Sequence, residues 1–198
     1  MISIVDTGGA NHTSVRDALL RLGKESEITV DRNRIKNSSH VILPGVGHAR
    51  FAMERLTLFG LADTIVELKQ PVLGICLGMQ LLFSASDEGD TQGLSILPGR
   101  VQKMKPSLEF RVPHMGWNQL DVCKASRLLT GLDPVSRFYF VHSFEVPDGD
   151  WIVAKSQAPH PVPAVLEYRN FFATQFHPER SSAPGALVLK NFLSLEST

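Results

Sequence analysis

The feature that most constrains the fold is a short segment in which a glycine lies two residues before a cysteine and another lies two residues after it. The segment reads Gly74-Ile75-Cys76-Leu77-Gly78, and an apolar run beginning at Pro71 leads into it. The turn from a strand into a helix is so tight here that larger neighbours would clash, and the residue at its apex is held where a substrate can reach it. The pattern therefore predicts a nucleophile elbow with Cys76 as the nucleophile.

The same pattern also fits a buried structural cysteine, because a glycine-flanked cysteine is a short motif with many chance matches. The second cysteine of the chain, Cys123, lies in a polar stretch without a motif. The start of the chain is not typical of a signal peptide, since its apolar run stops at Asp6. We therefore expect a cytoplasmic protein with reduced thiols.

Composition excludes several classes of function. The 198 residues, 1–198, fit one domain with a core of its own. The 20 basic and 20 acidic side chains balance, and no basic run predicts a nucleic acid or a membrane surface as a partner. No apolar stretch approaches transmembrane length.

The first half of the chain alternates apolar runs of strand length with helical patterns. The predicted strands cover 2–5, 27–30, 41–43 and 72–75, and the predicted helices begin at Ser14 and cover 51–70. The Ser14 start rests on a capping-box pattern that ends at Asp17. This alternation predicts an α/β fold with a doubly wound, mostly parallel sheet and helices on both faces. Ligands bind such sheets at the carboxyl ends of the strands, so Gly45–Gly47 and Cys76 are expected to share a crevice.

The second half is predicted to be richer in strands, some of them paired as hairpins. The predicted strands are 99–104, 117–122, 138–142, 152–156, 163–168 and 171–175, and a helix over 185–195 ends the chain. The fold is therefore expected to carry an additional strand-rich hairpin region.

The candidate base for Cys76 is His177, which follows a strand-like run and precedes Pro178 and Glu179. The residue before a proline is held extended, and residues two apart in an extended segment point the same way. Glu179 is thus predicted to lie beside His177 and fix its tautomer, completing a triad. No metal-binding spacing of histidine and cysteine occurs, so no metal is expected.

Taken together, the Cys76 segment, His177-Pro178-Glu179 and Pro44-Gly45-Val46-Gly47 resemble the class I glutamine amidotransferases over the length of the chain. The segments Pro113-His114-Met115-Gly116-Trp117-Asn118 and Tyr139-Phe140-Val141-His142-Ser143 are more specific. They resemble the glutaminase subunits of imidazole glycerol phosphate synthase. This resemblance implies glutamine as substrate, no cofactor, and a heterodimer with the cyclase subunit HisF.

The resemblance also implies roles for individual residues. Cys76, His177 and Glu179 match the triad, and Gly45, Val46, Gly47 and Leu77 match the oxyanion hole. The positions that hold glutamine match Gln80, Glu88, Ser143 and Phe144. The partner interface is expected to include Asn11, Trp117, Asn118, Tyr139 and Arg180.

Three alternatives stay open at the level of sequence. A stand-alone cysteine hydrolase of the PfpI type also has an elbow cysteine, but it lacks the late histidine-proline-glutamate and the Pro44–Gly47 segment. A paralogous glutaminase would serve another acceptor, such as a surface sugar. A non-enzymatic scaffold is disfavoured because Cys76, His177 and Glu179 are all present.

Overall fold

The centre of the fold is an eight-stranded sheet, seen in a computed structural model that describes residues 1–9, 11–157 and 160–196. Its strands in chain order are β1 (Ile2–Val5), β2 (Ser26–Thr29), β3 (His40–Leu43), β4 (Val72–Ile75), β9 (Leu120–Val122), β12 (Ile152–Ser156), β13 (Pro163–Tyr168) and β14 (Phe171–Thr174). They lie in the order β2-β1-β3-β4-β14-β13-β12-β9. The pairings from β2 to β14 are parallel, and those from β14 to β9 are antiparallel.

Helices cover both faces of this sheet, as the strand–helix alternation predicts. They are α1 (His12–Arg21), α2 (Arg32–Lys36), α3 (Ala49–Leu58), α4 (Leu61–Val66), α5 (Leu77–Leu81) and α6 (Ser182–Leu193). One core cluster joins α1 and α6 to side chains such as Ile4 and Leu73, and a second joins α3, α4 and α5 to side chains such as Val5 and Val72. Consecutive residues of a strand thus pack into the cores on opposite faces of the sheet, because side chains alternate along a strand. The predicted doubly wound, mostly parallel α/β fold is confirmed.

Two smaller sheets complete the strand-rich part. The remaining strands are β5 (Phe83–Ser86), β6 (Thr91–Gln92), β7 (Leu97–Lys103), β8 (His114–Asn118), β10 (Phe138–His142) and β11 (Phe144–Glu145). One sheet has the order β11-β7-β5-β6, and the other pairs β10 with β8 in an antiparallel manner. The chain passes from β10 to β11 at Ser143, so the two smaller sheets meet at this residue.

Three predicted element boundaries are wrong, each for a local physical reason. Helix α1 begins at His12 and not at Ser14, since Asn11 takes the cap position. The helix predicted over 51–70 is two helices, α3 and α4, because Gly60 between them adopts a left-handed φ of 63°. The strand predicted over 117–122 breaks at Gln119, where the chain leaves β8 beside β10 and enters β9 beside β12.

The remaining boundaries shift by a few residues at element ends, as helix α6 does by starting at Ser182. Within the described ranges, no helix has the length and apolar character needed to cross a membrane.

Candidate active site

The elbow at Cys76 is held by very close packing of its two flanking glycines. Cys76 has φ 52° and ψ −106°, a conformation that costs a non-glycine residue energy and is over-represented at functional sites. A side-chain carbon added at Gly78 would lie 1.8 Å from the carbonyl oxygen of Leu43, and one at Gly74 would lie 2.8 Å from the carbonyl oxygen of Gly78. Both positions therefore exclude any side chain, which is the sterically tight turn that the sequence predicts.

A cavity of about 430 Å³ opens above Cys76 at the carboxyl ends of the strands. The lining residues come from the Pro44–Gly47 segment, the elbow and α5, the β5–β6 turn, the residue before β8, the end of β10 with the β10–β11 junction, and the segment after β14; they are Val46, Gly47, Cys76, Leu77, Gln80, Glu88, Pro113, Val141, His142, Ser143, Phe144 and His177. Cys76 is 7% exposed, so its thiol is reached through this cavity. The expected shared crevice of Gly45–Gly47 and Cys76 is present.

His177 reaches the cavity from the strand next to the elbow. Strand β14 pairs with β4 in a parallel manner, and the backbone N–H of Cys76 donates to the carbonyl oxygen of Thr174 at 2.7 Å. Three residues later, the N–H of His177 donates to the carbonyl oxygen of Tyr139 at 2.9 Å. The imidazole Nδ1 lies 2.7 Å from Oε1 of Glu179, and both side chains are buried. The predicted pairing of His177 and Glu179 is thus formed.

The charge state of His177 follows from this geometry. Burial by itself lowers the pKa of His177, but hydrogen bonding and charge attraction to Cys76 and Glu179 outweigh it and raise the pKa to about 10. Within the described residues, Nε2 of His177 has no hydrogen-bond partner, so the bond to Glu179 is formed in the structure and Cys76 acts on the pKa as a nearby group. An imidazolium between a sulfur and a carboxylate favours the thiolate form, which is the nucleophile. Helix α5 has only five residues, so the neighbouring imidazolium matters more for the reactivity of Cys76 than the helix dipole expected there.

Asn11 lies beside the triad, and its expected place at the partner interface stays a prediction. Its side chain is buried, at 4% exposed, and its Nδ2 donates to Oε1 of Glu179. The same Nδ2 lies 3.4 Å from Nδ1 of His177. Asn11 therefore orients the carboxylate that orients the base. This is also why the Asn11 side chain does not cap helix α1.

The Pro44–Gly47 segment borders the cavity opposite His177. A side-chain carbon at Gly45 would lie 2.6 Å from Cβ of Leu77, so only glycine lets this strand approach the elbow. Gly47 has φ 112° and open space around it, so glycine is needed here for the backbone conformation and not for close packing. Leu77 is the first residue of α5, and the N–H at that position has no intrahelical acceptor. The predicted oxyanion donors, Val46 and Leu77, both line the cavity.

The four residues predicted to hold glutamine all line the cavity. Oε2 of Glu88 accepts from the N–H of Ala49 at 2.7 Å, which fixes the carboxylate at one end. Gln80 is engaged within the protein, because its Nε2 donates to the carbonyl oxygen of Phe144 at 3.2 Å. Gln80 is therefore suited to hold the Ser143–Phe144 segment in place.

Three of the predicted interface residues reach the surface near the site. Trp117 is 50% exposed on β8, and its ring lies 5.9 Å from that of Tyr139 on β10. Arg180 is exposed just beyond the triad. Asn118 instead donates to the carbonyl oxygen of Gln157 at 3.3 Å and closes a loop contact. Met115, which the sequence analysis did not single out for this surface, is 63% exposed on the same strand as Trp117.

Two polar residues at the site were missed as functional candidates. Gln175 is fully buried and its Nε2 lies 3.5 Å from Sγ of Cys76. His142 lines the cavity, and its Nδ1 lies 2.8 Å from the carbonyl oxygen of Phe144. One feature of the sequence could have marked Gln175: it is a polar residue at the end of an apolar strand-like run, two residues before His177. Among the described residues, no group of histidine, cysteine and acidic side chains is arranged to hold a metal ion.

Known proteins resemble this chain over nearly its whole length. The family profile described as "Glutamine amidotransferase class-I" matches residues 3–195. The chain is 46% identical to "Imidazole glycerol phosphate synthase subunit HisH 2" of Legionella pneumophila (strain Paris), over 100% of both chains. It is 45% identical to "Imidazole glycerol phosphate synthase subunit HisH" of Xylella fastidiosa (strain Temecula1), over 99% of this chain and 98% of that one.

Solved structures support the fold at lower sequence identity. A putative GMP synthase subunit from Thermoplasma acidophilum superposes with a TM-score of 0.72 at 24% identity, covering 97% of this chain and 91% of that one. A structure described as a glutamine amidotransferase superposes with a TM-score of 0.73 at 20% identity, covering 97% and 96%.

The chain therefore belongs to the class-I glutamine amidotransferases. The full-length identity to the Legionella and Xylella proteins exceeds that to the solved structures. Within the class, it belongs to the HisH subunits of imidazole glycerol phosphate synthase, the amidotransferases of histidine biosynthesis.

Proposed function

We propose that the chain hydrolyses glutamine to glutamate and ammonia with Cys76, His177 and Glu179 as the triad. We further propose that the ammonia passes to the cyclase subunit HisF. That subunit would use it on a phosphoribosyl-formimino aminoimidazole carboxamide ribotide (PRFAR) to form imidazole glycerol phosphate and an aminoimidazole carboxamide ribotide (AICAR). The observation that carries this proposal is a strained Cys76 facing a cavity of about 430 Å³, with a histidine of raised pKa beside it.

The reaction would begin with attack of the Cys76 sulfur on the carboxamide carbon of glutamine. The oxyanion that forms would accept hydrogen bonds from the N–H groups of Leu77 and Val46. One such donor typically lowers the barrier by about 2.7–4 kcal/mol. His177, protonated at the start, would give its proton to the departing ammonia and leave a γ-glutamyl thioester on Cys76. It would then take a proton from the water that releases glutamate.

The charges around the cavity suit a free amino acid. Glu88 offers a carboxylate toward the α-ammonium group of glutamine, and its attachment to the N–H of Ala49 holds it in place. The Ser143–Phe144 segment offers backbone groups along the other side of the cavity. The carbonyl oxygen of Phe144 already accepts from Gln80 and from His142, so it holds this segment in place and does not bind substrate.

The proposed docking surface for HisF consists of Met115, Trp117, Tyr139 and Arg180. Two exposed apolar side chains on one strand favour protein contact, because such groups are costly to leave in water. The surface lies next to the carboxyl ends of the strands, from which ammonia must leave. Ammonia in bulk water at neutral pH is mostly protonated, so direct transfer to a docked partner keeps it nucleophilic. A cytoplasmic location, where thiols stay reduced, suits the free Cys76.

The direct test is glutamate release by the purified chain while HisF is titrated in, with and without PRFAR. We expect slow hydrolysis by the chain alone and strong stimulation by the liganded partner. The matched variants are Cys76→Ala, which should abolish activity, and Cys123→Ala, which should keep it. Full activity without a partner, unchanged by HisF, would contradict the synthase assignment. Stimulation by a sugar-modifying synthetase and not by HisF would favour the paralogous glutaminase.

A further inference from the structure

The amide of Gln175 is fully buried, lies outside the mechanism above, and contacts the nucleophile. Its Nε2 lies 3.5 Å from Sγ of Cys76, and its Oε1 lies 3.1 Å from Nε2 of Gln80. Gln175 does not line the cavity, so it is not a glutamine-binding group. We infer that Gln175 is a positioning residue that holds the Cys76 sulfur for attack and stabilises its thiolate, in support of the function proposed above.

The orientation of the Gln175 amide follows from its neighbours. The carbonyl oxygen of Phe144 can only accept, so the Gln80 atom 3.2 Å from it is the nitrogen. That nitrogen also faces the Gln175 amide, where it requires an acceptor, so the Gln175 oxygen points toward Gln80. The NH₂ group of Gln175 must then point at Cys76. The reverse orientation would set two NH₂ groups against each other and an oxygen against the sulfur.

The same carbonyl also fixes the tautomer of His142. Since Phe144 accepts, the His142 Nδ1 that lies 2.8 Å away must carry a hydrogen. Burial lowers the pKa of His142 to about 3, so the ring is neutral and its Nε2 is an acceptor. That acceptor lies 3.0 Å from Nδ1 of His114, which must therefore donate. The ring of His114 stacks on Phe140 at 4.9 Å between centroids, which holds the donor in place.

A continuous set of hydrogen bonds thus runs from His114 on β8 to the nucleophile. It passes through His142, the Phe144 carbonyl, Gln80 and Gln175 before it reaches Cys76. Each contact in the set pairs one donor with one acceptor. Buried polar networks in which all members are satisfied hold their side chains in one arrangement. Gln175 is consequently a fixed N–H donor toward sulfur, and unlike His177 it cannot transfer its proton.

A donor fixed beside a sulfur stabilises the thiolate more than the thiol, because hydrogen bonds to charged groups are the stronger ones. Removing it is expected to lower kcat for glutamine by roughly tenfold to a hundredfold, the usual effect of one hydrogen bond to a charged group. KM should change by less than kcat, because Gln175 does not line the substrate cavity and reaches it only through Gln80.

The test uses Gln175→Glu, which keeps the side-chain shape and replaces the donor with an oxygen, and Gln175→Met, which removes both polar atoms. The midpoint pH for alkylation of Cys76 by iodoacetamide should rise by roughly one unit in Gln175→Met, and by more in Gln175→Glu, where a carboxylate next to the sulfur adds like-charge repulsion. Gln70→Glu is the matched control, since Gln70 is also a buried amide but binds the carbonyls of Ile35 and Lys36. The control should leave the midpoint unchanged. An unchanged midpoint and kcat in a folded Gln175 variant would overturn the inference.

A second measurement needs no change at Gln175. The side-chain amide protons of Gln175 should shift in NMR spectra when Cys76 is alkylated or replaced in Cys76→Ala, and should stay in place in Cys123→Ala. Gln175 amide signals that do not shift when Cys76 is alkylated or replaced would also overturn the inference. Alkylation and NMR need no glutamine, so they judge the role of Gln175 even for a chain without glutaminase activity. Loss of the proposed function would instead appear in the wild-type glutamate assay.

Discussion

At the residue scale, His177, Glu179 and Asn11 form one hydrogen-bonded unit. Oε1 of Glu179 accepts from Nδ1 of His177 at 2.7 Å and from the Nδ2 of Asn11. The shared oxygen holds the Nδ1–H of His177, so the proton at Nε2 is the one that His177 exchanges in the reaction. Glu179 thus acts through His177, whereas His177 itself moves protons.

We expect Glu179→Gln to be milder than His177→Asn. The amide oxygen of glutamine can still accept from Nδ1 of His177, although the negative charge is lost. The loss of kcat for His177→Asn should exceed that for Glu179→Gln by roughly tenfold to a hundredfold. Steady-state glutamate release by the two variants with the partner present measures this. Equal losses would mean that Glu179 does more than orient the base.

The raised pKa of His177 should depend on the sulfur beside it. In Cys76→Ala the hydrogen bonding and charge of the sulfur are absent, so the imidazole pKa should fall below the value of about 10. NMR titration of the His177 ring resonances measures the change. Cys123→Ala, at an exposed thiol, should leave the titration as in the wild type. A pKa that stays near 10 in Cys76→Ala would assign the shift to Glu179 alone.

At the scale of elements, the elbow depends on contact between helix α5 and strand β3. The carbonyl oxygen of Leu43 would lie only 1.8 Å from a side-chain carbon at Gly78. The helix can therefore start beside Cys76 only if this position is glycine. The strain at Cys76 is tolerated because the surrounding strands hold it on both sides.

Gly78→Ala should consequently separate α5 from β3 and displace Cys76. We expect a loss of at least about 3 kcal/mol in the free energy of unfolding, above the usual range for overpacking, together with loss of Cys76 alkylation at neutral pH. Gly23→Ala is the control, because Gly23 has φ 70° but nothing within 4 Å of a side-chain carbon. It should cost only about 1–2 kcal/mol. Equal stability losses in urea unfolding would contradict the packing argument.

The features predicted correctly from the sequence are those marked by neighbouring residues in the chain. The features that were missed depend on contacts between residues far apart in the chain. The strands before Gly45 and Cys76 are continuous apolar runs, and the glycine pattern around Cys76 is a steric requirement of one turn. The side chain of Asn11, at the start of α1, is held instead by Glu179, which lies 168 residues away in the chain. The break at Gln119 depends on which sheet each half of the segment joins.

The same reason explains the two polar residues that were missed. Gln175 and His142 act through hydrogen bonds to partners far away in sequence, such as Cys76 and His114. No spacing rule along the chain reports such contacts. The triad was predictable because Glu179 lies two residues after His177 and the elbow motif marks Cys76. Assignment of 1–198 to one domain stays a prediction.

For the whole molecule, the buried His142 links stability to pH. Its pKa in the folded chain is about 3, against 6.5 for an ordinary histidine. Between these values the unfolded chain binds a proton that the folded chain does not. Stability therefore falls as the pH drops from about 6.5 toward 3, by up to roughly 1.4 kcal/mol per pH unit from this group.

His142→Gln should flatten that slope, since glutamine does not titrate and can still donate to the Phe144 carbonyl. Urea unfolding at pH 7, 5.5 and 4.5 compares the two proteins. His160→Gln is the comparison from the same aromatic cluster, because the His160 side chain is 41% exposed and its charge is the last and smallest of the causes that lower the pKa of His142. The acid slope of this variant should stay closer to the wild type than that of His142→Gln. An unchanged slope in His142→Gln would contradict the neutral, buried state of this ring.

The central claim is that Cys76 is the group that glutamine acylates. Mass spectrometry of the wild-type chain, with its partner, after treatment with a glutamine-analogue electrophile such as acivicin tests this most directly. The account predicts a label on the peptide that contains Cys76, protection of that peptide by excess glutamine, and no label in Cys76→Ala. A label on Cys123 with none on Cys76 would contradict it.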